Sequence, residues 1–117
     1  MFEDMRCVIT ARLFREEKCF GPGIAELLEG IEELKSLRAA AMRMGMAYSK
    51  AWRIIHECEE KLGFRLLYSS TGGRGGGGAE VTPEGKKLLS RFRTLEKELN
   101  KTADTLLQAW REEDANL

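Results

Sequence analysis

Arginine and lysine are the most informative side chains of this sequence, because they are unevenly spread. Between residues 35 and 75 stand Lys35, Arg38, Arg43, Lys50, Arg53, Lys61, Arg65 and Arg74, against only Glu57, Glu59 and Glu60. The flanking stretches are acidic or nearly balanced, and over all 117 residues 19 cations meet 19 anions, for a formal net charge of zero. A neutral sum argues against nucleic-acid binding, whose affinity comes largely from neutralised phosphates. A cationic middle third argues for it, because a bound anion meets a patch rather than a sum. Guanidinium and ammonium groups in such a patch can hold phosphate oxygens or donate to guanine O6 and N7.

Other chemistries find less support. His56 is the single histidine. No carboxylate or thiol constellation is expected beside it at ligand spacing, and a lone pair with Cys58 is poor ground for a nucleophile. Cys7, Cys19 and Cys58 are odd in number and lack CxxC spacing. They argue against a disulfide framework or structural zinc and for small buried thiols. Gly73, Gly75 and Gly78 spell GxGxxG, but no βαβ unit surrounds them and no Gly-Lys-Ser/Thr ends the run. A permissive backbone that lets Arg74 reach a phosphate or the minor groove accounts for them better. No catalytic residue, metal ligand or cofactor is expected, and the chain is not expected to be an enzyme.

The elements that would position these cations follow from periodicity and punctuation. Residues 6–14 read as a strand with Cys7, Ile9, Ala11 and Leu13 on one face. A turn at 15–18 and a return strand at Cys19-Phe20 complete a hairpin over 6–20. From Ile24 the period becomes helical. Ile24, Leu27, Leu28, Ile31 and Leu34 predict an amphipathic helix over 24–35, with Glu26, Glu29, Glu32 and Glu33 on a face that should avoid DNA. Ser36 can cap a second helix with Leu37, Ala40, Ala41 and Met44 inward, its alanines permitting close approach. After Gly45 a third helix is predicted from Tyr48 to Leu62, with Ala51, Ile55, Cys58 and Leu62 inward and Gly63 as its stop.

Two helices joined by so tight a turn form a helix-turn-helix over 36–62. Strands at 64–68 and 79–81, around Ser69-Ser70 and the glycine run, predict a wing over 64–81. Thr82, Pro83 and Glu84 open a last helix over 83–111. Along it Leu88, Phe92, Leu95, Leu99, Thr102, Leu106 and Ala109 recur at alternating steps of four and three, the seam of a two-helix coiled coil. A helix of roughly 40 Å outgrows one small core, so a second copy is expected on it. The expected fold is therefore mainly α with small β, a single winged helix-turn-helix domain over 1–117. It has an N-terminal β-hairpin, a Gly-rich wing and a long C-terminal dimerisation helix, with Leu88, Phe92, Leu95, Leu99 and Leu106 at the dimer interface. The candidate DNA-binding residues are Tyr48, Ser49, Lys50 and Arg53 at the start of the third helix, with Arg38 and Arg74 beside them. Trp52 is expected to pack under the wing rather than to contact DNA.

The run Phe20-Gly21-Pro22-Gly23, the stretch from Ala39 to Trp52, and Ser70-Thr71-Gly72-Gly73-Arg74-Gly75-Gly76-Gly77-Gly78-Ala79 with Leu88-Leu89 strongly resemble the DNA-binding domain of the molybdate-responsive ModE regulators. More distantly, Leu62-Gly63-Phe64-Arg65-Leu66-Leu67 and Val81-Thr82-Pro83-Glu84-Gly85 look like the winged domain of LysR-type regulators. The resemblance implies a winged helix that dimerises through its long helices and regulates genes of molybdate uptake or use. Three departures stand out. No counterpart of the family's molybdate-binding domain follows, so no small-molecule effector is expected on this chain. Arg38 replaces a small polar residue usual at the start of the second helix, and Ser69 stands where a basic residue is common.

A sequence-specific transcription regulator that binds double-stranded DNA as a homodimer is thus the expected function. A winged-helix interaction module that does not bind DNA is the alternative, supported by the neutral charge. A nucleotide-binding enzyme would rest on the glycine run alone. No apolar run approaches the roughly 18 residues of a membrane span. Glu3 and Asp4 stand where a signal peptide would carry lysines. Neither a membrane partner nor export is expected, and the expected location is cytoplasmic.

Overall fold

The computed structural model describes residues 1–69 and 78–115. Its elements are β1 (Leu13–Arg15), β2 (Glu17–Phe20), α1 (Pro22–Leu34), α2 (Leu37–Arg43), α3 (Tyr48–Leu62), β3 (Leu67–Ser69), β4 (Ala79–Val81) and α4 (Pro83–Ala115). The strands form two separate antiparallel ribbons, β1 with β2 and β3 with β4. This is the mainly helical winged helix-turn-helix that the sequence predicts, with a small hairpin at its N-terminus and a long helix at its C-terminus. No helix among the described residues is long and apolar enough to cross a membrane.

The course of α1, α2 and α3 is fixed by small residues and caps. Pro22 suits the first turn of α1 because its φ is already helical. The helix ends where Lys35 takes a left-handed φ of 58°. Ser36 then accepts the Ala39 N–H at 3.0 Å and starts α2. A Cβ on Gly30 would lie 2.9 Å from the Ala40 Cβ, so α1 and α2 meet at nearly backbone distance. Gly45 turns the chain at a φ of 69°, and the Met46 N–H closes the turn on the Ala41 carbonyl at 2.9 Å. Helix α3 leaves from there and stops at Gly63, φ 82°.

Phe20, Leu27, Leu28, Ile31, Ile55, Leu66 and Phe92 are the fully buried large side chains of the core. Phe20 meets Phe92 edge to face, ring centroids 5.0 Å apart. Only the first turns of α4, through Gly85, Leu89 and Phe92, enter this core. The helix is 33 residues long, about 50 Å at 1.5 Å per residue, and ends one turn beyond the predicted 111.

The wing is anchored by two polar side chains. The Glu59 carboxylate accepts the N–H groups of Leu66 at 2.6 Å and Leu67 at 3.2 Å. Thr82, fully buried, donates its hydroxyl to the Arg65 carbonyl at 2.7 Å and accepts the Gly85 N–H at 2.9 Å, so it is the predicted cap of α4. Residues 64–66 are held in this turn, which is why β3 begins at Leu67 and not at 64. Ala79 of β4 donates to the Lys35 carbonyl at 3.1 Å and ties the ribbon to the end of α1.

The N-terminal segment departs from expectation. Residues 6–12 are not a strand; β1 begins at Leu13. The segment runs along α4 instead. There the Asn100 amide replaces a partner strand: the Ile9 N–H donates to Oδ1 at 3.0 Å and Nδ2 donates to the Ile9 carbonyl at 3.3 Å. Arg111 donates to the carbonyls of Phe2 at 3.1 Å and Met5 at 2.5 Å. The Phe2 ring lies 6.1 Å from Trp110, and Ala103 and Leu107 of α4 are buried along this stretch. Cys7 is exposed in consequence, against its expected burial, whereas Cys19 and Cys58 are buried. The Cys58 thiol donates to the Cys19 carbonyl at 2.5 Å, and burial pushes its pKa up to about 12.

The contact at Gly30 makes an unusual prediction. Glycine to alanine inside a helix ordinarily stabilises by about 1 kcal/mol. Gly30→Ala is expected to destabilise the protein instead, because its methyl group would press on Ala40. Urea unfolding of the variant beside the wild type measures the sign, and a higher midpoint for the variant would refute the close approach.

Candidate nucleic-acid interface

Helix α3 is divided by its own packing. Ala51, Ile55, Cys58 and Leu62 are buried, which leaves Ser49, Lys50 and Arg53 exposed on the opposite side of its N-terminal half, with Trp52 exposed at their flank and Tyr48 exposed as the first residue of the helix. The predicted residues Tyr48, Ser49, Lys50 and Arg53 therefore stand together. Arg38 joins them from α2: its guanidinium lies 4.3 Å over the Tyr48 ring. A cation held on an aromatic face keeps its N–H groups free at its edge. No side chain caps the start of α3 and no acid stands in its first turn, so its first N–H groups are suited to a phosphate.

The surrounding charges show how far the positive cluster is used internally. Arg43 pairs with Glu33 at 2.5 Å, Lys61 with Glu17 at 3.5 Å and Arg65 with Glu59 at 3.8 Å. Among the described residues of this cluster Lys35, Arg38 and Lys50 have no ion pair, and Arg53 has an exposed one, 3.6 Å from Glu57 one turn on. Exposed pairs of that kind contribute at most about 1 kcal/mol, so Arg53 is readily released. The acids of α1 are partly occupied as well. Arg93 of α4 grips Glu29 through Nε, at 3.1 Å, and through Nη2, and it donates to Glu96 at 2.6 Å. Those bonds raise the pKa of Arg93 above its ordinary value, the Glu29 bond most. The unpaired cations of the cluster are thus Lys35 between α1 and α2, Arg38 on α2 and Lys50 at the start of α3, with Arg53 beside Lys50.

Trp52 corrects the sequence reading. It is 47% exposed, and its ring stacks on His56 with centroids 3.8 Å apart and planes 19° apart. His56 Nδ1 donates to the Trp52 carbonyl at 2.8 Å, and its Nε2 lies 3.9 Å from Glu59. A carboxylate therefore does stand beside this histidine, one turn further along α3, engaged with the wing base. Glu59 was not singled out in the sequence; its signal would have been an acid one turn before a glycine stop and a strand. Among the described residues no cluster of His, Cys, Asp and Glu could hold a metal ion. Arg74 lies outside the described residues.

On α4 the expected seam divides. Phe92 is 1% exposed and belongs to the protomer's own core, and Leu88 is half-buried against that core. Leu95, Leu99 and Leu106 are open, at 38, 37 and 58% exposure. Phe92 leaves the seam because the first turns of α4 face the body on one side while the leucine stripe continues beside it.

Residues 25–86 match the family described as bacterial regulatory helix-turn-helix protein, lysR family. The chain is 32% identical over 94 residues to the molybdenum-pterin-binding protein MopB of Rhodobacter capsulatus, covering 80% of this chain and 35% of that protein. It is 32% identical over 103 residues to the DNA-binding transcriptional dual regulator ModE of Escherichia coli K12, covering 87% of this chain and 39% of that one. It thus spans little more than a third of the length of these relatives. Among solved structures, the CbnR DNA-binding domain in complex with DNA superposes with a TM-score of 0.58 at 23% identity, over 74% of this chain and 94% of that one. The BenM DNA-binding domain on the benA site 1 DNA gives 0.53 at 23% identity, over 74% and 92%. These likenesses establish the fold.

Glu57 is the acid that competes for Arg53 on the exposed side of α3. Glu57→Gln should tighten binding of any duplex about two- to five-fold at low salt, the scale of one exposed pair. The gain should fade as salt screens it. Fluorescence anisotropy with a labelled duplex measures this, and an unchanged affinity at low salt would remove Arg53 from the interface.

Proposed function

The chain belongs to the lysR family of bacterial regulatory helix-turn-helix proteins, and we propose that it is a transcription regulator binding double-stranded DNA sequence-specifically as a homodimer. The observation that carries this reading is the exposed start of α3, where Ser49, Lys50 and Arg53 stand clear of the core and Arg38 is held on Tyr48. In this reading the N-terminal half of α3 enters the major groove. Ser49, Lys50 and Arg53 are the side chains that reach base edges. Arg38 and the uncapped N–H groups of α3 hold phosphates, which set register without reading sequence. Arg74 of the wing adds a phosphate or minor-groove contact.

The open leucines of α4 support the dimer. A two-fold pairing of these helices would cover Leu95, Leu99 and Leu106 on both copies. It would place two α3 helices to read half-sites about one helical turn, roughly 34 Å, apart. The reading assigns no effector to these residues. Molybdenum stands in the name of the Rhodobacter capsulatus relative, but the cations described here lie on an open face, where anions are held weakly and without selectivity.

Anisotropy with a random duplex at about 50 and 200 mM salt tests the DNA contact, because counterion release makes affinity fall steeply between them. No binding at the lower salt would favour an interaction module that leaves DNA alone, the reading that the neutral net charge supports. For the dimer, Leu95→Glu with Leu99→Glu is expected to give a folded monomer, since both positions are open in the protomer. Sedimentation equilibrium with circular dichroism checks this, and wild-type protein that is monomeric at micromolar concentration would refute it.

A further inference from the structure

Trp52 is an indole on a helix side otherwise made of hydroxyls and charges, and nothing in the core needs it. Ser49, Trp52 and His56 follow one another at three- and four-residue steps, so they line one stripe of α3, with Arg53 next to Trp52 at its edge. Glu59, one turn past His56, holds the wing base through Leu66 and Leu67. Trp52 therefore stands between the reading residues at the start of α3 and the base of the wing. It is also held still. One face of the indole is covered by His56 at 3.8 Å, and that imidazole is itself fixed by the Trp52 carbonyl, 2.8 Å from Nδ1, beside Glu59. Trp52 is nonetheless left 47% exposed, with the plane of its ring set by this stack.

A rigid apolar surface among polar side chains meets one apolar feature on the floor of the major groove, the C5-methyl group of thymine. We infer that Trp52 is a specificity-determining residue that reads a thymine methyl group, and that His56 is the positioning residue that holds its plane. This rests on the DNA-binding reading above. A role as a phosphate donor through the indole N–H would act on all sequences alike, and a role as packing for the wing would act on none selectively.

The test uses the 117-residue chain and a duplex that it enriches from a random pool, resynthesised with deoxyuridine in place of each thymine in turn. This exchange removes one methyl group and keeps every hydrogen bond. At one thymine of each half-site the exchange should weaken wild-type binding about four-fold, the scale of one buried carbon. Trp52→Ala should be indifferent to the exchange at that position, with its salt slope unchanged because no charge is lost. His56→Ala should lose part of the same discrimination, and His56→Phe, which keeps the stack, should restore it. Circular dichroism checks the fold of each variant, and Trp52→Phe serves if Trp52→Ala does not fold. A wild type without a uracil-sensitive position overturns the inference with no variant needed. So does a Trp52→Ala that keeps the wild-type uracil pattern or weakens all duplexes equally. Failure to enrich any duplex overturns the DNA-binding reading and this inference with it.

Discussion

Gly30 of α1 meets Ala40 of α2 with no space for another methyl group, and the orientation of everything beyond depends on that contact. With α1 and α2 locked, the short turn at Gly45 leaves α3 one direction in which Ala51, Ile55, Cys58 and Leu62 can be buried. The opposite face must then point outward. Glu59 and Thr82 carry the constraint further. They convert the end of α3 and the start of α4 into fixed ends of the wing, using backbone N–H and carbonyl groups that would otherwise lie buried without partners. The outward face is the consequence of packing, and its side chains are free to serve a ligand.

Charge follows the same geometry. A count over 35–75 suggests a broad positive patch, but Arg43, Lys61 and Arg65 each have an acid within 4.0 Å. Among the described residues of that stretch Lys35, Arg38 and Lys50 are left without an ion pair, and Arg38 and Lys50 gather around the start of α3 with Arg53, whose own pair with Glu57 at 3.6 Å lies on the exposed side of that helix. That concentration reconciles a neutral chain with a phosphate-binding role, since a ligand responds to local potential over about a Debye length, roughly 10 Å at 0.1 M salt. Of the acids of α1, Glu29 is turned toward Arg93 and Glu33 toward Arg43, and these two tie α1 to α4 and α2.

Much of this was legible in the sequence, because it depended on local rules. The Ser36 and Thr82 caps, the glycine stops at 45 and 63, and the inward faces of α1, α2 and α3 follow from capping, backbone freedom and period, and they are present except at Leu34, which the last turn of α1 leaves 41% exposed. What was not legible depended on tertiary partners. Residues 6–12 have strand-like composition, yet their partner is Asn100, ninety-one residues away, so alternation could not reveal it, and Cys7 followed the segment to the surface. Phe92 fits both the core and the seam by spacing, and only the position of Phe20 decides between them. Trp52 could pack or read on composition alone. Its stack on His56 is a one-turn contact within α3 that the sequence permits but does not require.

The central claim is that the exposed start of α3, with Arg38 beside it, is the surface that meets DNA. Amide hydrogen exchange of the protein with and without an excess of duplex DNA tests it most directly, because it reports slowing residue by residue. The account predicts added protection at residues 38–39 and 48–53, with the acidic side of α1 and the distal half of α4 unchanged. Protection confined to α1 or α4, with the start of α3 exchanging as in the free protein, would contradict it.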